Sequence, residues 1–181
     1  MHLLRDALPH ARGRTDLSDT LVIGLGNSFR GDDGAGPAVA RGLLDQVPAR
    51  VRAYEGEPVG LIEEWTADDA VIVVDAVSSG APPGTIHRLD PLSQPIPAAL
   101  SQGSTHAFGL AETIELARAL DRLPDRLAVY GIEGGRFTAG QELSPAVARA
   151  VESVRLELCE RLGKSAGDRR EAADGAAPER T

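Results

Sequence analysis

The chain has 181 residues, 42% of them hydrophobic, enough for one domain of ordinary size to bury a layered core without disulfide or metal staples. Its formal net charge of −8, from 27 acidic and 19 basic residues, comes without a dense Lys/Arg cluster, which argues against nucleic acid as a partner. The single cysteine, Cys159, excludes an internal disulfide framework and an all-cysteine metal site, and no apolar run approaches the roughly 20 residues needed to span a bilayer. With no signal-peptide pattern at the N-terminus and no heptad stripe left over, the expectation is a cytoplasmic monomer without a membrane partner.

Residues 1–18 are polar, partly basic and aperiodic, and read as a loose extension that includes His2 and His10. Leu21, Val22 and Ile23 then form a short apolar run suited to a strand buried on both faces, which Gly24 and Gly26 break. The stretch GNSFRGDDGAG leads into a helix opened by Pro37, with Ala38, Val39, Ala40, Leu43 and Leu44 as its apolar stripe. A second strand fits Val51 to Glu55, and a short helix fits Pro58 to Trp65, with Trp65 as a core residue. The run AVIVV at Ala70 to Val74 is the strongest strand and reads as central; it ends in Asp75. Thr85 to Leu89 alternates as a strand nearer an edge, with His87 as a surface histidine, and Leu92 to Gln102 reads as irregular.

Thr105 offers a cap for a helix running to Ala119, which puts His106 in its first turn. A late strand, Leu127 to Ile132, ends at Glu133 before a glycine-rich loop. Ser144 and Pro145 then open a last helix whose stripe Val147, Val151, Val154, Leu158 and Leu162 stops at Gly163, with Cys159 as a small hydrophobe within it. From Lys164 onward the composition offers too little apolar surface to offset ordering, so 164–181 reads as a disordered tail. Alternating strands and helices over 19–163 predict a single α/β domain: a three-layer sandwich around a mostly parallel, twisted sheet of about five strands with helices on both faces.

Three ionisable residues fall at comparable positions in that plan: Asp33 past the first strand, Asp75 at the end of the central one and His106 at a helix start. Ligands of open α/β sheets bind at the carboxyl ends of strands, so the three can converge. Two carboxylates and an imidazole suit a divalent ion such as nickel or zinc. The spacing is not itself a metal signature: a helix cap at Asp32 or Asp33, a turn residue at Asp75 and a first-turn histidine account for it equally. Asn27 either orients its turn or donates to a substrate, and Glu133 at a strand end is a candidate neighbour of the site.

Five blocks carry a resemblance across Leu21 to Leu162: GLGNSFRGDDGAGPAVA at Gly24 to Ala40, VIVVDA at Val71 to Ala76 with PGTIHRLD at Pro83 to Asp90, STHAFGLAE at Ser104 to Glu112, VYGIEG at Val129 to Gly134, and LSPAV at Leu143 to Val147. In this order they resemble the hydrogenase maturation endopeptidases, which trim the C-terminal tail from the large subunit of nickel-iron hydrogenases. The resemblance implies an α/β peptidase whose metal-binding and catalytic residues are Asp33, Asp75 and His106. Family members often carry Glu where this chain has Asp33, one methylene shorter, and Asp32 is the alternate ligand. It further implies that the nickel arrives inside the hydrogenase precursor, with zinc or cadmium as substitutes, so that cutting depends on nickel loading.

Two other enzyme or nucleotide readings are weaker. GLGN after a strand also resembles the opening of peptidyl-tRNA hydrolases, but no histidine follows just downstream and the acidic balance opposes tRNA. GLGNSF lacks the third glycine of a dinucleotide fingerprint, and GNSFRGDD lacks the lysine and hydroxyl of a phosphate-binding loop. Ser104 and Thr105 are sequence neighbours of His106 and do not face it on a helix, so neither reads as a nucleophile. A precursor-binding chaperone without cleavage is the non-enzymatic alternative.

Overall fold

The computed structural model describes residues 20–97, 100 and 109–174, with side chains through Gly163. Five strands form one sheet: β1 (Thr20–Leu25), β2 (Arg50–Tyr54), β3 (Ala70–Val77), β4 (Ile86–Leu89) and β5 (Arg126–Glu133), in the order β2-β1-β3-β5-β4. The first four strands of that order pair in parallel, and β4 closes the edge antiparallel to β5. β3 is therefore central and β4 an edge strand, as their sequences suggest. The chain leaves β1 toward β2 on one side and returns to β3 on the other. The resulting switch point lies between the carboxyl ends of β1 and β3, the position where open α/β sheets bind ligands.

Alternation along the central strands fills two layers. Val22, Ile72, Val74, Ala128 and Ile132 face α1 (Ala35–Leu43) and α3 (Pro145–Asp174), which contribute Val39, Leu43, Val147, Val154 and Leu158. Leu21, Ile23, Val71, Val73, Leu127 and Val129 face a 3-10 turn at Pro58–Glu63 and α2 (Leu110–Ala119), with Trp65 buried there and its indole N–H donating to the Arg122 carbonyl. The near-continuous apolar strands follow from burial on both faces.

Several boundaries differ from the sequence reading. Gly24 does not end the first strand but lies inside β1, where it is needed for close packing: a Cβ there would sit 2.1 Å from the Gly36 carbonyl oxygen of α1. That helix starts at Ala35, two residues before Pro37, continuing directly from a 3-10 turn at Gly31–Gly34. α2 starts at Leu110 with extended Gly109 as its N-cap, later than the Thr105 start expected from the sequence; Thr105 and His106 lie outside the described residues. α3 runs through Gly163 to Asp174, into the segment read as disordered; one glycine costs a helix only about 1 kcal/mol, and the Lys, Ala, Arg and Glu beyond it are good helix formers. Cys159 is half-buried against the core rather than within it. The proposed N-terminal extension 1–18, most of the segment Leu92 to Gln102 beyond residue 97, and 175–181 lie outside the described residues.

Candidate active site

The loop after β1 is shaped by backbone contacts. Gly26 has a φ of 132°, and a Cβ on it would meet the Asp33 carbonyl oxygen at 2.1 Å, so only glycine lets the chain fold back on itself here. Asn27 orients the turn: its Oδ1 accepts the Phe29 N–H at 2.9 Å, while its own N–H donates to Asp33 Oδ2 at 3.2 Å. Gly36 brings the 3-10 turn and α1 against the sheet, since a Cβ there would fall 2.2 Å from the Leu25 carbonyl oxygen and 2.4 Å from that of Val74. The same closeness sets Asp33, 4% exposed, beside the end of β3.

Asp32 and Asp33 adjoin in sequence but have different tasks. Asp32 is fully buried, and both its oxygens are engaged: Oδ1 accepts the Ser144 N–H at 2.6 Å, and Oδ2 accepts those of Gly135 at 2.8 Å and Arg136 at 2.9 Å. Burial alone would raise its pKa, but these three N–H groups outweigh it and hold the carboxyl below its usual value. Asp32 is thus a tether between the β1 loop and the loop after β5. Asp33 keeps a carboxylate with a single backbone donor from Asn27 among the described contacts, and it is the better placed of the two to reach a ligand.

Asp75 occupies the end of β3 opposite Gly131, on the α2 side of the sheet. Burial and the nearby negative charge of Asp33 push its pKa up to about 8. Asp75 and the carboxylate that opposes its ionisation are a donor pair that a divalent cation would satisfy. A small pocket adjoins Asp75, lined also by Leu89, Ile96, Leu110, Ala111 and Val129. Among the described residues no group of three His, Cys, Asp or Glu side chains comes together to hold a metal. His106, the third predicted ligand, lies outside the described residues, as do Ser104 and Thr105.

Two residues make contacts that their local sequence did not show, the candidate neighbour Glu133 and His87. Glu133, 1% exposed, accepts the N–H groups of Ser79 at 2.7 Å and Gly80 at 2.9 Å on Oε1, and the Ser79 hydroxyl at 2.8 Å on Oε2. His87, read as a surface residue, is half-buried with Nε2 3.3 Å from Glu133 Oε2. The alternation of β4 does place His87, but pairing with β5 opposite Gly131 turns it toward Glu133, and such a cross-strand register is not encoded locally.

A family model described as hydrogenase maturation protease matches residues 56–161, more than half of the chain. The chain belongs to that family. It is 29% identical over 147 residues to the hydrogenase expression/formation protein HupD of Thiocapsa roseopersicina, which covers 74% of this chain and 66% of the relative, so it spans about two thirds of that protein's length. The crystal structure of the [NiFe] hydrogenase maturation protease HycI from Thermococcus kodakarensis KOD1 superposes with a TM-score of 0.61 at 26% identity, covering 81% of this chain and 93% of that one. The hydrogenase maturating endopeptidase HybD from E. coli shares the fold with a TM-score of 0.63 at 23% identity, covering 81% and 93%. The family match makes a protease the established class. It includes Asp75 and the position of His106 but begins beyond Asp33, so Asp33 rests on the geometry of the β1 loop.

Proposed function

We propose that this protease removes the C-terminal extension of a nickel-iron hydrogenase large-subunit precursor after nickel insertion, and that Asp33, Asp75 and His106 read the precursor's nickel. The observation that carries the reading is the pair of carboxylates gathered at the switch point: the turn that holds Asp33 packs against β3, and burial and the charge of Asp33 raise the pKa of Asp75. Two carboxylates leave a divalent ion's coordination sphere incomplete, so the pair binds best a cation whose other ligands the substrate provides. Nickel in this scheme is part of the substrate, with zinc or cadmium as substitute probes. His106 would add the imidazole donor suited to nickel.

The chain's own contribution to hydrolysis is placement. The glycine packing of the β1 loop and the tether of Asp32 fix Asp33, and strand pairing fixes Asp75. A divalent ion held there supplies polarisation of the scissile carbonyl or acidification of a water. Water adds across the peptide bond, leaving a new C-terminal carboxylate on the large subunit and a free amine on the released tail.

The test is cleavage of a cognate large-subunit precursor, followed by mass, with nickel-loaded and nickel-free precursor in parallel. Trimming of the loaded form alone supports the proposal. Trimming of both forms leaves the peptidase but removes nickel recognition, and trimming of neither points to the chaperone reading. Asp33→Ala and His106→Ala variants, shown folded, are expected to lose the loaded-form activity; normal rates would overturn the ligand assignment.

A further inference from the structure

Glu133 is a fully buried carboxylate whose ligands are almost all supplied by one short turn. Ser79 and Gly80 direct successive backbone N–H groups onto Oε1, in a concavity made possible by Gly80 at a φ of 88°. The Ser79 hydroxyl closes on Oε2. This turn begins directly after β3, four residues from Asp75. The backbone of Glu133 is equally committed: its carbonyl accepts the Gly84 N–H at 2.8 Å, its N–H donates to the Thr85 carbonyl at 2.9 Å, and the Gly134 N–H donates to the Val77 carbonyl at 2.9 Å.

The residues immediately following Glu133 hold the other carboxylate loop. Gly135 and Arg136 donate to Asp32, the neighbour of Asp33, and the Arg136 carbonyl accepts the Asp32 N–H at 2.7 Å. A single four-residue segment, Glu133 to Arg136, thus grips the β3 turn with a side-chain anion and the β1 loop with main-chain donors. The two grips are opposite in polarity. On the β3 side the segment supplies the carboxylate and the turn supplies N–H groups; on the β1 side the loop supplies the carboxylate and the segment supplies N–H groups.

We propose that Glu133 is a positioning residue, which fixes Asp75 relative to Asp33 by locking the Ser79–Gly80 turn onto the segment that anchors Asp32. The role rests on the reading of Asp33 and Asp75 as the working pair, and it extends that reading to a residue that does not touch the substrate. Removing the carboxylate frees the turn and leaves Ser79 and Gly80 N–H groups without their acceptor, while the sheet beneath keeps its ladder bonds. Glutamine preserves the device, because its carbonyl oxygen still accepts both N–H groups and its amide can donate to the Ser79 hydroxyl oxygen.

The experiment compares Glu133→Ala and Glu133→Gln with the unaltered protein in two measurements. Amide hydrogen exchange followed by mass spectrometry reads the peptide spanning residues 75–80 against peptides from β1 and α3. Steady-state cleavage of nickel-loaded precursor reads kcat and KM separately. Glu133→Ala is expected to speed exchange in 75–80 by about tenfold or more with α3 unchanged, and to lower kcat roughly 10- to 100-fold at nearly constant KM, as misplacement of a working group does. Glu133→Gln is expected to restore both. Unchanged exchange in 75–80 for Glu133→Ala overturns the proposal, whether or not any precursor is cut. Faster exchange with a normal kcat overturns it too, because the turn would then not position the pair. Should the unaltered protein cut no precursor, the functional reading fails on that result while the exchange measurement still decides whether Glu133 locks the turn. Uniformly faster exchange across β1 and α3 would instead make Glu133 a general stability residue and refute the positioning role.

Discussion

The two faces of the sheet are built differently, and the site lies toward the less uniform one. On the α1 and α3 side, two helices lie on continuous apolar rows, and a polar network fastens the outer edge: the buried Tyr130 hydroxyl lies 3.0 Å from Glu157 Oε1 and accepts from Arg161 at 2.9 Å, while Arg88 donates to Glu157. On the α2 side the cover consists of a 3-10 turn, a short helix and a loop, and a pocket opens at Asp75. Long helices supply rigidity by apolar area. The opposite face gives up some of that area to hold an ionisable side chain near a strand end. The lesson is that the rigid face carries the precision on behalf of the other: the backbone of α1, not a side chain, sets how closely the Asp33 turn meets β3.

The largest effect should come from filling that backbone contact. Gly36→Val puts a branched side chain where a Cβ alone would lie 2.2 Å from the Leu25 carbonyl oxygen, against two strands that have no freedom to move. Loss of about 3 kcal/mol or more is expected, enough to unfold much of the protein near its working temperature. Urea denaturation checks it. A native midpoint would show that α1 slides outward freely and that its backbone does not gauge the site.

Next comes the opposite face, where function and stability should separate. Asp75→Asn keeps the shape of the side chain but can no longer ionise to hold a cation beside Asp33. Cleavage of nickel-loaded precursor should fall by at least about 100-fold, the kinetic equivalent of losing several kcal/mol of charge stabilisation. Thermal unfolding should show a midpoint no lower than before. A large drop in stability would mean that Asp75 is a structural residue of β3.

The polar network of the rigid face predicts an intermediate effect with a definite pH sign. Burial opposes ionisation of Glu157, but hydrogen bonds from Arg88 and Tyr130 and the charge of Arg161 outweigh it, and the pKa is lowered. A depressed carboxyl stabilises the fold above its unfolded value of about 4.3 and loses that contribution as pH falls through the folded value. Glu157→Gln should therefore cost about 1–2 kcal/mol at pH 7 and progressively less below about pH 4. Denaturant midpoints at pH 7 and in the acid range measure the difference. An equal loss at every pH would assign the effect to packing alone.

The same comparison explains what the sequence could and could not reveal. Branched apolar runs identified β1, β3 and β5, and the Ser144–Pro145 pair located the start of α3, although the Ser144 hydroxyl does not cap it, because these signals act over a few residues. The end of α3 and the start of α2 were misplaced, since a lone glycine and a lone hydroxyl residue are weak local signals against helix propagation and an extended Gly109. Asp33 and Asp75 were visible as polar residues at strand ends. The division of labour between Asp32 and Asp33 was not: it depends on N–H groups from Gly135, Arg136 and Ser144, more than a hundred residues away in the chain. Glu133 was visible as a strand-end acid and a candidate neighbour of the site, but the turn that it binds lies 53 and 54 positions earlier.

The smallest effect is expected where the β1 loop meets solvent. Ser28 Oγ donates to Glu55 at 2.7 Å and accepts from Arg41 at 2.9 Å, a bridge from the loop to the end of β2 and to α1 that looks like a further brace on Asp33. It differs from the Asp32 tether in one respect that decides its worth: all of its contacts are exposed, so water replaces each bond as it breaks. Asp32 has no such substitute. Ser28→Ala should thus change stability by less than about 0.5 kcal/mol and leave kcat on loaded precursor within about twofold. A fall in kcat comparable to that of an Asp33 variant would show that the outer bridge, rather than the buried tether, holds the loop in place.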